Sequence, residues 1–222
     1  FLGGFMSDMD GTKAVALEAW AKSQGRPFLR FDYSGHGQSS GDFRDGCIGD
    51  WAEDAQAVIE ALTTGPQALV GSSMGGWISL LLTQRLVAGK VAGLVGIAAA
   101  PDFTEDSMFA NFTDAQRAEL TETGVVLLPS DYGTPYPITA RLIEDGRQNL
   151  VLRTPLPVTF PVRLMQGTLD SSVKRSVALN LLDHIDGDDV SLLLIKGANH
   201  SFSTPECMTQ VEAALTEVLG VI

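Results

Sequence analysis

Apolar runs and amphipathic stretches alternate along most of the chain. Ala14, Leu17 and Ala21 repeat at helical spacing and predict a helix over about 12 to 24. Comparable stripes predict four further helices, near 50–63, 75–88, 174–184 and 205–219. Short apolar runs between them predict strands near 27–32, 68–70, 91–99, 161–166 and 190–195. This alternation predicts an α/β protein, a three-layer α/β/α sandwich with a mostly parallel central sheet.

The alternation is interrupted between about 102 and 155. Within this stretch Thr113 marks the start of a capped helix, and the residues from Ile138 to Asn149 predict another helix. Because the sheet pattern resumes afterwards, we interpret the stretch as a small helical lid inserted into one domain that covers 1–222. The chain begins with Phe1-Leu2, which resembles the end of a strand, so we expect that further N-terminal strands are missing from this sequence.

The segment from Leu69 to Trp77 contains the pattern G-x-S-x-G, with Ser73 between Gly71 and Gly75. An apolar strand end precedes the pattern and an apolar helix start follows it, which is the context of a nucleophile elbow. The glycines let the strand end and the helix start approach closely, so the Ser73 hydroxyl stands clear of the sheet. The pattern predicts a catalytic nucleophile at Ser73, and a purely structural glycine-rich turn is the alternative.

A serine nucleophile needs a base, and the chain contains three histidines. His200 follows an apolar strand and a glycine in a loop, where an α/β sheet exposes catalytic groups, so it is the predicted base. His184 belongs to an amphipathic helix, and we interpret it as a residue of the helix surface or last turn. The third histidine, His36, lies in a glycine-rich turn.

The base in turn needs an acid that orients it. Asp170 follows another apolar strand that ends in a glycine, and a carboxylate there can accept a hydrogen bond from the Nδ1–H group of His200. Asp102 also follows a strand and is the alternative acid, although it could instead cap a helix or contact the lid. Asp170 is therefore the predicted third member of a triad with Ser73 and His200.

An oxyanion that forms on the substrate needs backbone N–H donors. The residue after the nucleophile, Met74, supplies the first predicted donor. The glycine-rich start of the chain supplies the second, which we assign to Phe5, with Met6 as the alternative. Because these roles belong to the main chain, the side chains of Phe5 and Met74 remain free to line an acyl pocket.

Apolar residues of the oxyanion loop and of the predicted lid are candidates for an acyl pocket. Packing of the lid residues on one another is the alternative. The pocket residues that we predict are Met6, Phe103, Phe109, Tyr132 and Tyr136. The expected substrate is a small-molecule carboxyl ester or thioester with an apolar acyl part, and neither a cofactor nor a metal is expected.

These motifs, in the chain order serine, aspartate, histidine, resemble the α/β-hydrolase superfamily. Three stretches resemble more narrowly the branch of the mitochondrial palmitoyl-protein thioesterase and its bacterial homologues: Phe5–Ala14, Arg30–Gly35 and Gly71–Trp77. The resemblance implies the α/β-hydrolase fold and a serine carboxylesterase or thioesterase. An amidase, lactonase, C–C hydrolase or perhydrolase on the same fold remains an alternative, as does a non-catalytic binding protein.

Composition excludes some classes of binding partner. The 222 residues carry a net charge of −12, which argues against binding to nucleic acid or to an anionic membrane surface. No apolar run is long enough to span a bilayer. The two cysteines, Cys47 and Cys207, lie in no metal-like cluster and indicate free thiols in a reducing compartment, so we expect a cytoplasmic location. The oligomeric state is left open.

Overall fold

The computed structural model describes residues 1–130 and 135–221. Its α-helices are α1 Thr12–Ser23, α2 Ile48–Leu62, α3 Met74–Arg85, α4 Asp114–Thr123, α5 Ala140–Gln148, α6 Arg175–His184 and α7 Pro205–Leu219. Its strands are β1 Gln67–Ser72, β2 Val91–Ile97, β3 Val125–Leu128, β4 Tyr136–Thr139, β5 Leu156–Pro157, β6 Val162–Gly167, β7 Ile185–Asp186 and β8 Val190–Ile195. Within the described ranges, no helix is both long enough and apolar enough to cross a membrane.

Four strands form a parallel central sheet in the order β1-β2-β6-β8. The start of the chain extends this sheet, because Leu2 forms a parallel bridge with Gly71. Leu2 N donates to Val70 O at 2.8 Å, and Ser72 N donates to Leu2 O at 3.1 Å. Since parallel strands end at the same edge of a sheet, the loops that follow β1, β6 and β8 meet there.

Helices cover both faces of the sheet, as successive strand residues point to opposite sides. Leu69 and Leu94 contribute to a core that includes residues of α2, α3 and α6. Their neighbours Val70 and Val95 contribute to a second core, formed with residues of α1 and α7. The predicted three-layer α/β/α sandwich with a mostly parallel sheet is confirmed.

Local capping explains where two of the helices begin. The Thr204 hydroxyl accepts a hydrogen bond from Cys207 N at 3.3 Å, and Pro205 occupies the first turn of α7. Thr113 and Gln116 form a capping box at α4, in which each side chain accepts from the other residue's main-chain N–H group. The predicted start of a capped helix at Thr113 is thus where α4 begins.

The segment 27–32, which we predicted as a strand, forms no strand in the structure. The amino group of Phe1 donates to Leu29 O at 2.6 Å, but a ladder requires a row of such partners. The apolar signal still has a structural cause, because Phe31 packs against the first core and Phe28 against the second. The prediction of a strand here is therefore wrong, although the segment does contribute to both cores.

The insertion between 102 and 155 contains more than helices. A short π-helix, Thr104–Met108, and a 3₁₀ helix, Phe109–Asn111, precede α4. Strands β3 and β4 then form an antiparallel hairpin that we did not predict. The helix predicted to start at Ile138 starts instead at Ala140, because the preceding residues pair with β3 and Thr139 caps α5.

We expect the substitution Gly75→Ala to impair folding severely. A Cβ atom at this position would lie 2.0 Å from Leu2 O and 2.5 Å from Leu2 C, and main-chain atoms cannot move aside as a side chain can. The free energy of unfolding, measured by urea denaturation, should fall by at least about 3 kcal/mol.

Gly220→Ala is the matched control for this substitution. Gly220 has a φ of −73°, and the nearest atom to its added Cβ would be 3.2 Å away. We expect this variant to lose less than about 1 kcal/mol. Equal stability of the two variants would contradict the importance of the close approach at Gly75.

Candidate active site

Ser73 lies alone between β1 and α3, in a strained conformation with φ 54° and ψ −116°. Main-chain hydrogen bonds to the last residue of β2 and to the segment that follows it hold Ser73 there. Ser73 N donates to Ile97 O at 2.9 Å, and Ala100 N donates to Ser73 O at 3.1 Å. The turn predicted from the glycine pattern is therefore present and is fixed by the neighbouring strand.

Three predicted side chains form one hydrogen-bonded chain at this edge of the sheet. His200 Nε2 lies 3.1 Å from Ser73 Oγ, and His200 Nδ1 lies 2.8 Å from Asp170 Oδ2. A carboxylate only accepts hydrogen bonds, so the imidazole proton belongs on Nδ1. Nε2 is then free to accept a hydrogen bond from the Ser73 hydroxyl.

The carboxyl group of Asp170 is fully buried and has four hydrogen-bond donors. Oδ1 accepts from Ser172 N at 2.9 Å and from Val173 N at 2.8 Å, whereas Oδ2 accepts from His200 and from Gln166 Nε2 at 2.8 Å. Burial opposes ionisation, but the hydrogen bonds from His200, the Val173 amide and Gln166 outweigh it. The pKa of Asp170 therefore lies below its ordinary value.

The alternative acid, Asp102, faces the far end of the insertion and not His200. Its fully buried carboxyl group accepts from Val151 N at 2.8 Å and Leu152 N at 3.0 Å, and lies 3.3 Å from Arg153 Nη1. Burial raises the pKa of Asp102, although these donors partly offset it. Asp102 thus links the start of the stretch 102–155 to residues near its end.

The other two histidines lie elsewhere. His184, the last residue of α6, contacts Val151 O at 3.1 Å and Thr154 O at 2.8 Å through Nε2. His36 is buried, and its Nδ1 lies 3.2 Å from Ser34 O. Burial lowers the pKa of His36. Its ring packs against three aromatic side chains, those of Tyr33, Phe43 and Trp51.

The two amides predicted as oxyanion donors lie beside Ser73. Met74 is the first residue of α3, so its N–H group has no acceptor within the helix. The loop that carries Phe5 passes close by, since a Cβ on Gly4 would lie 3.5 Å from Ser73 Cβ. Within the described ranges, neither N–H group donates a hydrogen bond to the protein. Met6 adopts a positive φ of 54° in this loop.

The side chain of Phe5 connects the oxyanion loop to the insertion. Its ring makes edge-to-face contacts with Phe43 and Trp51, which precede β1 in the chain. It makes the same kind of contact with Phe103 and Tyr136, which belong to the insertion. The ring centroids are 4.9, 6.0, 5.7 and 5.6 Å away, respectively. Such contacts fix both the loop and the two aromatic residues of the insertion.

A cavity of about 620 Å³ opens above Ser73 and His200, a size typical of small-molecule sites. Of the predicted pocket residues, Met6, Phe103 and Tyr136 line it, together with Phe5 and Met108. The structure does not place Phe109 in this cavity, and Tyr132 lies outside the described residues. Phe109 is held elsewhere because the guanidinium groups of Arg117 and Arg147 lie 4.3 and 4.4 Å from its ring centre.

Part of the cavity wall is polar, and sequence analysis did not anticipate it. Lys13 and Thr12, from the first turn of α1, contribute to this wall with Ser201 and Ser203. A lysine in the first turn of a helix is a weak signal, because most lysines are solvated. Only the fold brings α1 beside the loop that carries His200.

No metal site is evident in the described part of the chain, where no group of three histidine, cysteine or acidic side chains could hold an ion. Cys47 and Cys207 are both free and buried. Burial raises the pKa of the Cys47 thiol to about 11, which makes it unreactive at neutral pH.

Comparison with known proteins identifies relatives over nearly the whole chain. The model of the alpha/beta hydrolase family matches residues 3–214. The mitochondrial palmitoyl-protein thioesterase ABHD10 of Rattus norvegicus is 37% identical over 202 residues, which are 90% of this chain and 67% of that protein. The human protein of the same name is 36% identical, over 90% of this chain and 65% of its own length. The chain thus spans about two thirds of the length of these relatives.

Solved structures give the same result. A putative hydrolase from Agrobacterium vitis S4 is 43% identical, with a TM-score of 0.95 over 98% of this chain and 85% of that chain. Mouse alpha/beta hydrolase domain-containing protein 10 is 34% identical, with a TM-score of 0.90 over 99% of this chain and 88% of that chain. The resemblance stated from the motifs is confirmed.

The comparisons also correct one prediction. We expected a cytoplasmic location, but the ABHD10 relatives from rat, cattle, mouse and human are all named as mitochondrial proteins, so that prediction is wrong. Free cysteines indicate a reducing compartment without identifying which one.

The family match and the structural relatives agree with the observed parallel sheet and its flanking helices. The predicted class of enzyme, a hydrolase, is confirmed as well. This chain belongs to the alpha/beta hydrolase family.

Proposed function

We propose that this chain is a serine hydrolase that cleaves carboxyl esters or thioesters through an acyl-enzyme at Ser73. The observation that carries the proposal is the hydrogen-bonded chain from Ser73 through His200 to Asp170 at the floor of an accessible cavity. This arrangement activates a hydroxyl that would otherwise be a poor nucleophile at neutral pH. The named thioesterase relatives support the same reaction class.

In the proposed reaction, Ser73 Oγ attacks the acyl carbonyl carbon while His200 Nε2 takes the hydroxyl proton. The carbonyl π electrons move to oxygen, and the N–H groups of Phe5 and Met74 donate to that oxyanion. When the carbonyl re-forms, the bond to the leaving group breaks, and His200 gives its proton to the departing oxygen or sulfur. Asp170, ionised and buried, stabilises the imidazolium throughout.

A water molecule then repeats the sequence on the acyl-enzyme. His200 takes a proton from the water as its oxygen attacks, and returns a proton to Ser73 Oγ as the acid product leaves. No cofactor or metal takes part in this scheme. Phe5, Phe103, Met108 and Tyr136 supply an apolar wall, so the proposed substrates are small molecules with an apolar acyl part.

The variant Ser73→Ala should lose both ester hydrolysis and labelling by a fluorophosphonate probe. We expect kcat to fall about 10⁴-fold or more, because the nucleophile is removed while the fold is kept. Ser72→Ala is the control, since Ser72 is the adjacent buried serine. Labelling that persists in Ser73→Ala and disappears in Ser72→Ala would show that the nucleophile is Ser72 and not Ser73. A wild-type protein that the probe does not label would favour the non-catalytic alternative.

Two buried aspartates should respond differently to replacement by asparagine. Asp170→Asn presents the wrong partner to His200 Nδ1 and should lower kcat by about 10³-fold or more. Asp102→Asn should leave kcat within about threefold and should instead cost about 1–3 kcal/mol of unfolding free energy, since it disturbs the buried amides of Val151 and Leu152. Steady-state kinetics and urea denaturation of both variants test this, and a larger kinetic loss at Asp102 would reverse the assignment.

The acyl pocket predicts a dependence on chain length. Each methylene removed from water contributes about 0.8 kcal/mol, so kcat/KM for p-nitrophenyl esters should rise up to about fourfold per methylene. We expect the rise to end at short to medium lengths, because polar residues occupy part of the 620 Å³ cavity. Phe103→Ala should reduce this dependence, whereas Phe109→Ala, outside the cavity wall, should keep it. A flat profile from acetate to palmitate would show that the apolar residues do not bind the acyl group.

A further inference from the structure

Lys13 is a cation on the cavity wall that the proposed reaction does not use. It is partly buried in the first turn of α1, and its Nζ donates to Ser201 O at 2.5 Å. In the described part of the chain, no carboxylate lies within ion-pair distance of Nζ. Asp8, an acidic residue of the same wall, is exposed and accepts from Asp10 N at 2.9 Å.

The chain has a net charge of −12, so carboxylates are plentiful. A lysine on the cavity wall with no carboxylate partner among the described residues therefore requires an explanation. Burial lowers the pKa of Lys13, because desolvation disfavours the charged form of its side chain. A neutral amide side chain could donate to Ser201 O without this cost. An ammonium has three N–H donors, and Ser201 O accepts only one of them. In the described part of the chain the other two donors have no acceptor, so they can contact a bound molecule.

The position of Lys13 shows which part of a substrate would meet it. Its contact, Ser201, follows His200 directly in the chain, and Ser203 Oγ donates to Ser201 Oγ at 3.2 Å. The apolar wall is a separate group, linked by the ring contacts of Phe5 with Phe103 and Tyr136. Because His200 protonates the leaving group, the leaving group lies on the side of His200 and hence of Lys13.

We propose that Lys13 is a specificity-determining residue that binds an anionic group, a carboxylate or a phosphate, on the leaving-group part of the substrate. The proposal rests on the proposed function, because that reaction defines the leaving-group side. A bound anion would compensate the ammonium, which has no carboxylate partner among residues 1–130 and 135–221. The cavity then receives an apolar acyl chain at one wall and a charged leaving group at the other.

The test uses three phenyl butyrates that differ only in the meta substituent of the phenol leaving group. The substituent is a carboxylate, a phosphate monoester or, as the neutral form, the methyl ester of the carboxylate. Wild-type enzyme should show a higher kcat/KM for at least one charged ester than for the neutral one. Comparison of the carboxylate with the phosphate substrate then shows which anion is preferred. A charge-assisted hydrogen bond corresponds to about ten- to a hundredfold in this ratio. Equal values for all three esters would overturn the proposal.

Lys13→Met should reduce the charged-to-neutral ratio of kcat/KM by about tenfold or more, whereas Lys13→Arg, which keeps the charge, should retain most of it. Lys22→Met, at an exposed lysine in the last turn of the same helix, is the matched control and should not change the ratio. If Lys13→Met lowers kcat/KM for the three esters by the same factor, Lys13 serves only to hold the Ser201 carbonyl, and the proposal is wrong.

Two wild-type measurements keep the test independent of how well the variants fold. The preference for the charged ester should decrease as NaCl is raised, because salt screens the ammonium. The free 3-hydroxybenzoate product should inhibit more strongly than its methyl ester, and the reverse order would overturn the proposal for a carboxylate. Hydrolysis of the neutral ester, lost in Ser73→Ala, tests the proposed function separately, so failure of one proposal is distinguishable from failure of the other.

Discussion

The close approach of three main-chain segments at Ser73 is the constraint on which the site depends. A Cβ on Gly71 would lie 2.3 Å from Gly75 O, and a Cβ on Gly75 would lie 2.0 Å from Leu2 O. Without those side chains, the end of β1, the start of α3 and the segment at Leu2 can pack directly. The same contact therefore strains Ser73 and brings the loop that carries Phe5 beside it, so one packing requirement places both the proposed nucleophile and the proposed oxyanion donor.

Electrostatic surroundings distinguish the two buried aspartates, although both follow strands and both carboxyl groups are inaccessible to solvent. Asp170 is the closer match to an ionised group, because hydrogen bonds from His200, the Val173 amide and Gln166 outweigh its burial and lower its pKa. For Asp102, burial dominates and raises the pKa despite donors from Val151 and Leu152. Burial alone therefore does not separate the two carboxylates. The hydrogen bond to His200 is what favours Asp170 as the proposed catalytic acid.

The sequence was sufficient for features that depend on local chemistry. Helix α7 and strand β8 have the predicted bounds, and the elbow at Ser73 follows from glycine spacing. Features that depend on tertiary partners were not predictable in the same way. Among the described residues, 27–32 find no ladder partner, and Phe109 is held away from the cavity by the guanidinium groups of Arg117 and Arg147. Lys13 reaches the cavity wall only because α1 packs beside the loop that follows β8.

Phe5 contributes to the site through both its main chain and its side chain. Its main-chain N–H group is the proposed oxyanion donor, and its ring packs against Phe103 and Tyr136 on the wall of the proposed acyl pocket. A donor held in this way needs little reorganisation when charge develops on the substrate, which is the source of its catalytic value. Because the same ring contacts shape the pocket, a substitution that enlarges the pocket at Phe103 also loosens the oxyanion loop. In the proposed mechanism, acyl-chain preference and turnover are therefore physically coupled and cannot be varied independently at these positions.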